Sequence, residues 1–430
     1  MPTLAVVGAG AKGIAISAKA RAVAAAGLPS PRVVLVDRGP AAGNWTGDQG
    51  YTSGLLPLST PPEKDIGFPY ADSWGAVSPA VTAAMAAYSW QRHLIAHDAY
   101  ADWVDRGRLR PTHRQWSAYL RDVARRARAE VVQAEVTGLE ADGGEWVLAL
   151  KDAAALRADG VVVTGPGPAV GVPGQPQAHP RVLDGRSYWL AEHAIAADVA
   201  QNACVIGSGE TSASVVLSLL RRLHPRSTVD VVASRGVLYS RGESYDENRY
   251  FSDPGDWPRL AQSHRREFLK RTDRGVYSLQ AEATLNQFRG YRALAGRAVG
   301  IDAGDRQVVV TLEYGSERER VCYDLVVVAI GFEARWFEGL LGTEARRRLA
   351  EAASGGDLET RIDLDLALAG MSPPLHLPLL AGLAQGPGFP NLSCLGLLSD
   401  RILRRYVPRE EQSAPAAAEA AAVAQRSQRA

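Results

Sequence analysis

Leu4-Ala5-Val6-Val7-Gly8-Ala9-Gly10-Ala11-Lys12-Gly13 opens the chain with a short apolar run ending in three spaced glycines, and an alanine-rich stretch, Ile14 to Ala26, follows it. The run predicts a buried strand and the stretch a helix, with a tight turn between them. In that turn Gly8 permits the reversal, Gly10 lets the backbone approach a pyrophosphate, and Gly13 lets helix and strand pack closely. The helix N-terminus then faces the anion. A second strand, Val33 to Val36, ends in Asp37. A carboxylate there accepts hydrogen bonds from a ribose diol and repels a 2′-phosphate, so this unit suits FAD or NAD and disfavours NADP.

The same pattern returns near the middle of the chain. Ala203 to Ile206 reads as a strand, Gly207-Ser208-Gly209-Glu210-Thr211-Ser212 as the turn, and Ser212 to Arg222 as the helix. Ser212 stands where a third glycine or alanine is common, and Thr211 lies beside it in the loop. The next strand, Thr228 to Val232, leads into Ser234 and Arg235. A cation at that turn suits the extra phosphate of NADPH. The alternative for Arg235 is an ordinary solvated arginine, and Arg241 competes for the same task. Opposite charge partners on two such units suggest one flavin site and one NADPH site. The expected fold is α/β, with two Rossmann-like dinucleotide-binding domains, for FAD and NADPH, the second inserted into the first, and a small substrate-binding region between them.

Punctuation along the chain sets the expected boundaries. Residues 1–168 form the first part of the FAD domain, closing on Gly160-Val161-Val162-Val163-Thr164-Gly165, and carry a candidate substrate loop at 45–70. Pro168 to Pro180 reads as a linker, and 169–322 as the NADPH domain. Tyr323 to Phe332 repeats the pattern of a buried strand ending at a glycine, Gly331, and is read as the return to the FAD domain, which then spans 323–407 with a substrate-binding segment. Residues 408–430 carry almost no large apolar side chain and read as a disordered tail.

The 430 residues are 46% hydrophobic and 22% charged, enough for two or three domains with cores. A net charge of +1 gives no electrostatic case for nucleic acid or an anionic membrane. No run reaches the roughly 18 apolar residues of a membrane span, and the N-terminus lacks the features of a secretory signal. A cytoplasmic protein acting on a small molecule is expected. The three cysteines, Cys204, Cys322 and Cys394, form no CxxC, which counts against the disulfide oxidoreductases that also carry two dinucleotide domains. Only His93 and His97 have a metal-like spacing, without a third ligand nearby, so no metal site is expected.

Three polar clusters lie where loops of such a fold bind ligands. The first runs from Trp45 through Gly50-Tyr51-Thr52-Ser53-Gly54 to Ser59-Thr60-Pro61-Pro62-Glu63-Lys64-Asp65. Five of the chain's 48 basic residues are lysines, so Lys64 in a Pro/Gly-rich loop is informative: it could hold a substrate carboxylate, or simply pair with Glu63 or Asp65. The second cluster, Glu243 to Pro254, contains Asn248. The third, Gln385 to Arg401, contains Leu397-Leu398-Ser399. No constellation of a nucleophile and a base is present, and no catalytic side chain is assigned.

Taken together, Pro62-Glu63-Lys64-Asp65, Gly207 to Thr211, Thr272-Asp273-Arg274-Gly275-Val276-Tyr277-Ser278 and Gln385 to Arg401 resemble the flavin-dependent N-hydroxylating monooxygenases. The resemblance runs over most of residues 1–405. It is nearest to the lysine ε-amino hydroxylases of mycobactin-like and nocobactin-like siderophore pathways. It implies that Lys64 and Asn248 contact an amino-acid substrate, that Ser399 lies near both flavin and substrate, and that Trp45 and Gly331 belong to the cofactor site. It further implies that NADPH reduces FAD, that the flavin adds dioxygen at C4a, and that the terminal oxygen passes to a neutral amine. Two positions depart from the ornithine-hydroxylase pattern: Ser59 replaces a glutamine, and a second substrate asparagine falls at or near Val276. Ornithine or a diamine remains an alternative substrate, and a flavoprotein that no longer hydroxylates a further one. Baeyer–Villiger and classical flavin monooxygenases are disfavoured, because Arg181 to Trp189 lacks their histidine motif. Such families are often oligomeric, though no residue here marks an interface.

Overall fold

A computed structural model describes residues 1–71, 74–195 and 200–408. Ten of its strands, in chain order, are β1 (Thr3–Val7), β2 (Arg32–Asp37), β3 (Glu130–Gln133), β4 (Gly160–Val163), β5 (Val182–Asp184), β6 (Asn202–Ile206), β7 (Thr228–Ala233), β8 (Tyr291–Ala295), β9 (Leu325–Val328) and β10 (Leu375–His376). Six helices matter here: α1 (Ala11–Ala25), α2 (His113–Arg126), α3 (Glu210–Arg222), α4 (Tyr245–Ser252), α5 (Gln262–Thr272) and α6 (Leu395–Arg404). The strands form two parallel five-stranded sheets, ordered β10-β4-β1-β2-β3 and β8-β7-β6-β9-β5. Strands buried on both faces should be continuously apolar rather than alternating. β1, β4 and β9 are, reading Leu4 to Val7, Val161 to Val163 and Leu325 to Val328.

Both units follow one plan. A strand, glycine turn, helix and second strand come first (β1-α1-β2 and β6-α3-β7). A third strand, a three-stranded antiparallel meander and a fourth strand beside the first complete it. This shared plan corrects the expected boundary at residue 323. β9 pairs with β6 and β5, so the Tyr323 to Phe332 segment closes the second unit as its counterpart of β4. An apolar strand ending at glycine recurs because the position recurs, not because the chain has returned. The return follows at residues 331–333, which run antiparallel to 168–170 through Val170 N–H to Gly331 O (3.0 Å) and Glu333 N–H to Pro168 O (2.8 Å). β10 then joins the first sheet beside β4. Gly331, at φ +108°, therefore lies on the connector between the units. Residues 409–430, read as a disordered tail, lie outside the described residues. Among the described residues no helix is long and apolar enough to cross a membrane.

The last helix, α6, packs along α1, which is buried on almost every side because the sheet, α6 and α2 all cover it. Where α6 ends, Tyr406 O–H meets His376 Nε2 at 2.8 Å, while His376 Nδ1 lies 2.8 Å from the Asp365 carbonyl. Burial pulls the His376 imidazole from 6.5 down to about 4. In the unfolded chain this group takes a proton near its ordinary value; in the native state it resists until about pH 4. The unfolded state thus binds more protons in that window, so native stability falls as pH drops from 6.5 to 4, by up to about 3 kcal/mol. Urea titrations at a series of pH values should show that loss, and His376→Asn should flatten it.

Candidate active site

The two glycine turns end in bare helix N-termini. Gly10 and Gly209 precede α1 and α3, and no side chain caps either helix, so the first N–H groups are free to bind an anion. A Cβ on Gly10 would meet nothing within 4 Å, which leaves space for a pyrophosphate. Gly8 and Gly207 serve the backbone instead: at φ +116° and +134°, added Cβ atoms would lie 2.3 Å from Thr164 Oγ1 and from the Ala329 carbonyl. Gly13 is required by packing, since a Cβ there would come within 2.4 Å of Gly8 O. Ser212 occupies the matching place in the second unit. Its hydroxyl makes the close approach a hydrogen bond to Gly207 O (2.7 Å) and also meets Tyr277 O–H. Thr211 faces Gly185, just after β5. These turns fit two dinucleotides. Gly10→Val should therefore yield folded protein with little bound flavin, read from its visible absorbance, whereas Gly8→Ala should destabilise the fold itself.

Asp37, at the end of β2, closes the first turn. Its carboxylate accepts from Ala9 N–H (2.8 Å) and Gly39 N–H (2.9 Å), leaving lone pairs for a diol. The Gly43–Trp45 turn is tied to the first glycine turn by Ala42 N–H, which donates to Ala9 O at 2.8 Å. The indole meets the His113 ring edge-on at 5.0 Å. Arg235, past β7, is exposed, stacks on Tyr239 at 4.2 Å and donates to Lys270 O. Arg241 is half-buried and reaches the N-terminus of α3, with Nη2 3.8 Å from Glu210. Its Nε has no hydrogen-bond partner. The two arginines thus hold different places, Arg235 against Tyr239 and Lys270 and Arg241 beside Glu210 at the second glycine turn.

The three polar clusters converge between the units. Gly396, at the start of α6, donates to Phe68 O (2.8 Å), which joins the 385–401 segment to the Lys64 loop. Gly388 packs on the Phe251 carbonyl of α4 and on Cys394. Lys64 is half-buried over the Phe68 ring, and burial pulls its ammonium below the ordinary lysine value, with the Glu243 charge opposing that pull. Asn248, on α4, is exposed and donates to the Glu243 carbonyl at 2.8 Å. Ser399 is fully buried one turn beyond Gly396, with Oγ donating to Leu395 O.

Other residues of this region carried no role in the sequence. Asp65 shapes the Lys64 loop by accepting from Gly67 N–H, Tyr70 O–H and Trp90 N–H at 2.7–3.0 Å. Burial pushes its carboxyl up to about 6, against the pull of those donors. Lys12, of the first fingerprint, is buried, donates to Pro390 O (2.7 Å) and is pulled down to about 8 by burial.

Residues 80–334 match the family described as L-lysine 6-monooxygenase/L-ornithine 5-monooxygenase. The chain is also 42% identical over 413 residues to the L-lysine N6-monooxygenase MbtG of Mycobacterium sp. (strain MCS), covering 93% of this chain and 94% of that protein. The chain belongs to this monooxygenase family. The MbtG of Mycobacterium tuberculosis (strain ATCC 25618 / H37Rv) is 41% identical over 418 residues, 94% of each chain. The solved lysine monooxygenase NbtG from Nocardia farcinica matches at a TM-score of 0.81 and 40% identity, over 94% of this chain and 100% of that one. Within this lysine/ornithine monooxygenase, the two departures have structural counterparts. Val276 is buried in a short strand against Tyr239 and Ser240 and presents no carboxamide. Ser59 is half-buried, and its carbonyl is bound by Arg110.

Proposed function

We propose that the chain hydroxylates the side-chain amine of L-lysine, using FAD and NADPH, in the cytoplasm and in support of siderophore or related natural-product assembly. The observation that carries this reading is the meeting of the Lys64 loop, α4 and α6 between two bare helix N-termini of opposite charge partnership. The 40–42% identity to lysine monooxygenases over most of the chain supports the choice of amine. Gly8, Gly10, Gly13, Asp37 and Trp45 would hold FAD. Gly207, Gly209, Thr211, Ser212 and Arg235 would hold NADPH, while Gly331 links the units. Bound FAD, reduced by NADPH, supplies the oxygen-activating chemistry.

The protein's own residues have a narrower task. A lysine ammonium has a pKa of about 10.4, so presenting the neutral amine near pH 7.5 costs roughly 4 kcal/mol. Lys64 and Asn248 fix the far end of the substrate, so that its amine is held in a dry place where desolvation favours the neutral form. Buried Ser399, with its proton committed to Leu395 O, offers an acceptor lone pair beside that place. Water would be excluded from the amine where the three segments meet around the substrate.

The test is hydroxylamine formation by purified, FAD-loaded protein with NADPH, oxygen and a panel of lysine, ornithine and simple diamines. Lysine should be hydroxylated ahead of the rest. Preference for ornithine or a diamine would replace the substrate, and peroxide alone with every amine would sink the hydroxylase reading. Arg235→Ser should raise the KM for NADPH and leave that for NADH unchanged, because only the former carries the 2′-phosphate. Equal effects on both would move that role to Arg241.

A further inference from the structure

Lys12, in the first turn of α1, reaches out of the first glycine turn to the Pro390 carbonyl, 2.7 Å away. The next residue, Asn391, is braced by its own loop: Oδ1 accepts from Ser393 N–H and Nδ2 donates to Pro387 O, both at 2.9 Å. The same Nδ2 also donates out of that loop, to Asp273 Oδ1 at 3.3 Å. Among the described residues this is the only side-chain hydrogen bond that Asp273 makes.

Asp273 ends α5, a helix seated on the first unit where Trp257 and Leu269 pack with Leu383. From there the chain runs along the second glycine turn. A Cβ on Gly275 would stand 3.5 Å from Ser208 Oγ. Ser278 N–H and O–H both donate to the Glu210 carboxylate at 2.9 Å, and Tyr277 O–H meets Ser212 Oγ at 2.9 Å. Glu210 and Ser212 lie in the first turn of α3. One run of polar contacts thus connects the start of α1 to the start of α3, and residues 390–391 are its middle link. The chain passes between the units at 168–170 and 331–333, and these passages lie side by side. Units joined at one place move relative to each other unless contacts elsewhere hold them. Reacting groups misplaced by about 1 Å can lose roughly 100-fold in rate.

We propose that Asn391 is a positioning residue: through Asp273 it sets the second glycine turn against the first, and so fixes the relative placement of the two nucleotides that those turns would hold. The proposal rests on the two-cofactor reading above and deepens it.

The experiment compares the wild type with Asn391→Asp, with Asp273→Ala and with the swapped pair Asn391→Asp/Asp273→Asn, all as full chains. The first readout is hydrogen exchange of the flavin-free protein. Asn391→Asp sets a second carboxylate against Asp273, so amide exchange should rise in residues 273–278 as well as in 387–393. In the swapped pair donor and acceptor trade places, and protection of 273–278 should return. The second readout is anaerobic reduction of the FAD-loaded protein by NADPH. Its limiting rate should fall roughly tenfold or more in Asn391→Asp and Asp273→Ala, with the Kd for NADPH unchanged, and the swapped pair should recover most of that loss. Reduction by dithionite, which needs no second nucleotide, should be the same throughout. If Asn391 only braces its own loop, exchange rises in 387–393 alone and the swap recovers nothing. That result overturns the proposal, as does a wild-type limiting rate in Asn391→Asp, whether or not its Kd for NADPH rises. Should Asn391→Asp lose its flavin, Asp273→Ala, which leaves the first unit untouched, decides by the same two readouts. A wild type that NADPH reduces but that hydroxylates no amine, with the variants still slowed, would sink the proposed reaction and leave this bridge standing.

Discussion

Lys64→Ala is expected to abolish most amino-acid affinity and leave the reductive half of the reaction intact. A half-buried ammonium that meets a substrate carboxylate is worth about 2–3 kcal/mol, or roughly 30- to 150-fold in KM at 1.4 kcal/mol per tenfold. In the proposed reaction flavin reduction by NADPH would depend on the two glycine turns, which lead into α1 and α3, and none of their hydrogen bonds involves Lys64. Stopped-flow reduction without amine should therefore match the wild type. Oxygen consumption should continue, with peroxide replacing hydroxylamine as the amine loses its hold. The sign of the pH effect follows from burial, which pulls the Lys64 ammonium below 10.5. Lys64 is charged below its lowered pKa, so carboxylate binding should fade as pH rises through that value, earlier than for an exposed lysine. Equal loss of flavin reduction and amino-acid binding would place Lys64 in another role.

How much of this was legible in the sequence depended on how local each cause is. The turn Gly8 to Gly13 and the carboxylate of Asp37 were readable because strand, turn and helix are adjacent and each glycine answers a local demand. Lys64 stood out because lysine is scarce here. β9 was misplaced because its sequence states only that it is buried; whether it pairs with β6 or with the first sheet is decided by partners distant in the chain. Ser212 was readable as a position, but not its hydroxyl's bond to Gly207 O, which lets a side chain stand where glycine is usual. Asp65 had no signal of its own. An aspartate beside a lysine is commonplace until folding buries it among three donors.

Asp400→Ala should be the most destabilising of the single substitutions considered for the first unit. Its carboxylate lies 3.1 Å from Lys19 Nζ, and both side chains are buried, at 2% and 0% exposure. It also accepts the Trp74 indole N–H at 2.7 Å. Removing the carboxylate takes from Lys19 its buried ion-pair partner between α1 and α6, and breaking a buried pair of this kind costs about 3–5 kcal/mol. The ion pair need not stabilise the fold relative to apolar packing, because burying two charges costs several kcal/mol before their attraction offsets it. Lys19→Met combined with Asp400→Leu should therefore recover most of the loss, short of about 1 kcal/mol for the indole N–H left without its acceptor. Urea midpoints of the two single variants and the double variant measure this directly. Additive losses in the double variant would mean that each side chain is held by separate contacts and that the charges are not coupled. The effect should also reach the proposed site, since Ser399 precedes Asp400 on α6 and the pair fixes that helix against α1, which carries the first glycine turn. Asp400→Ala should then lose flavin on dilution, and the double variant should retain it.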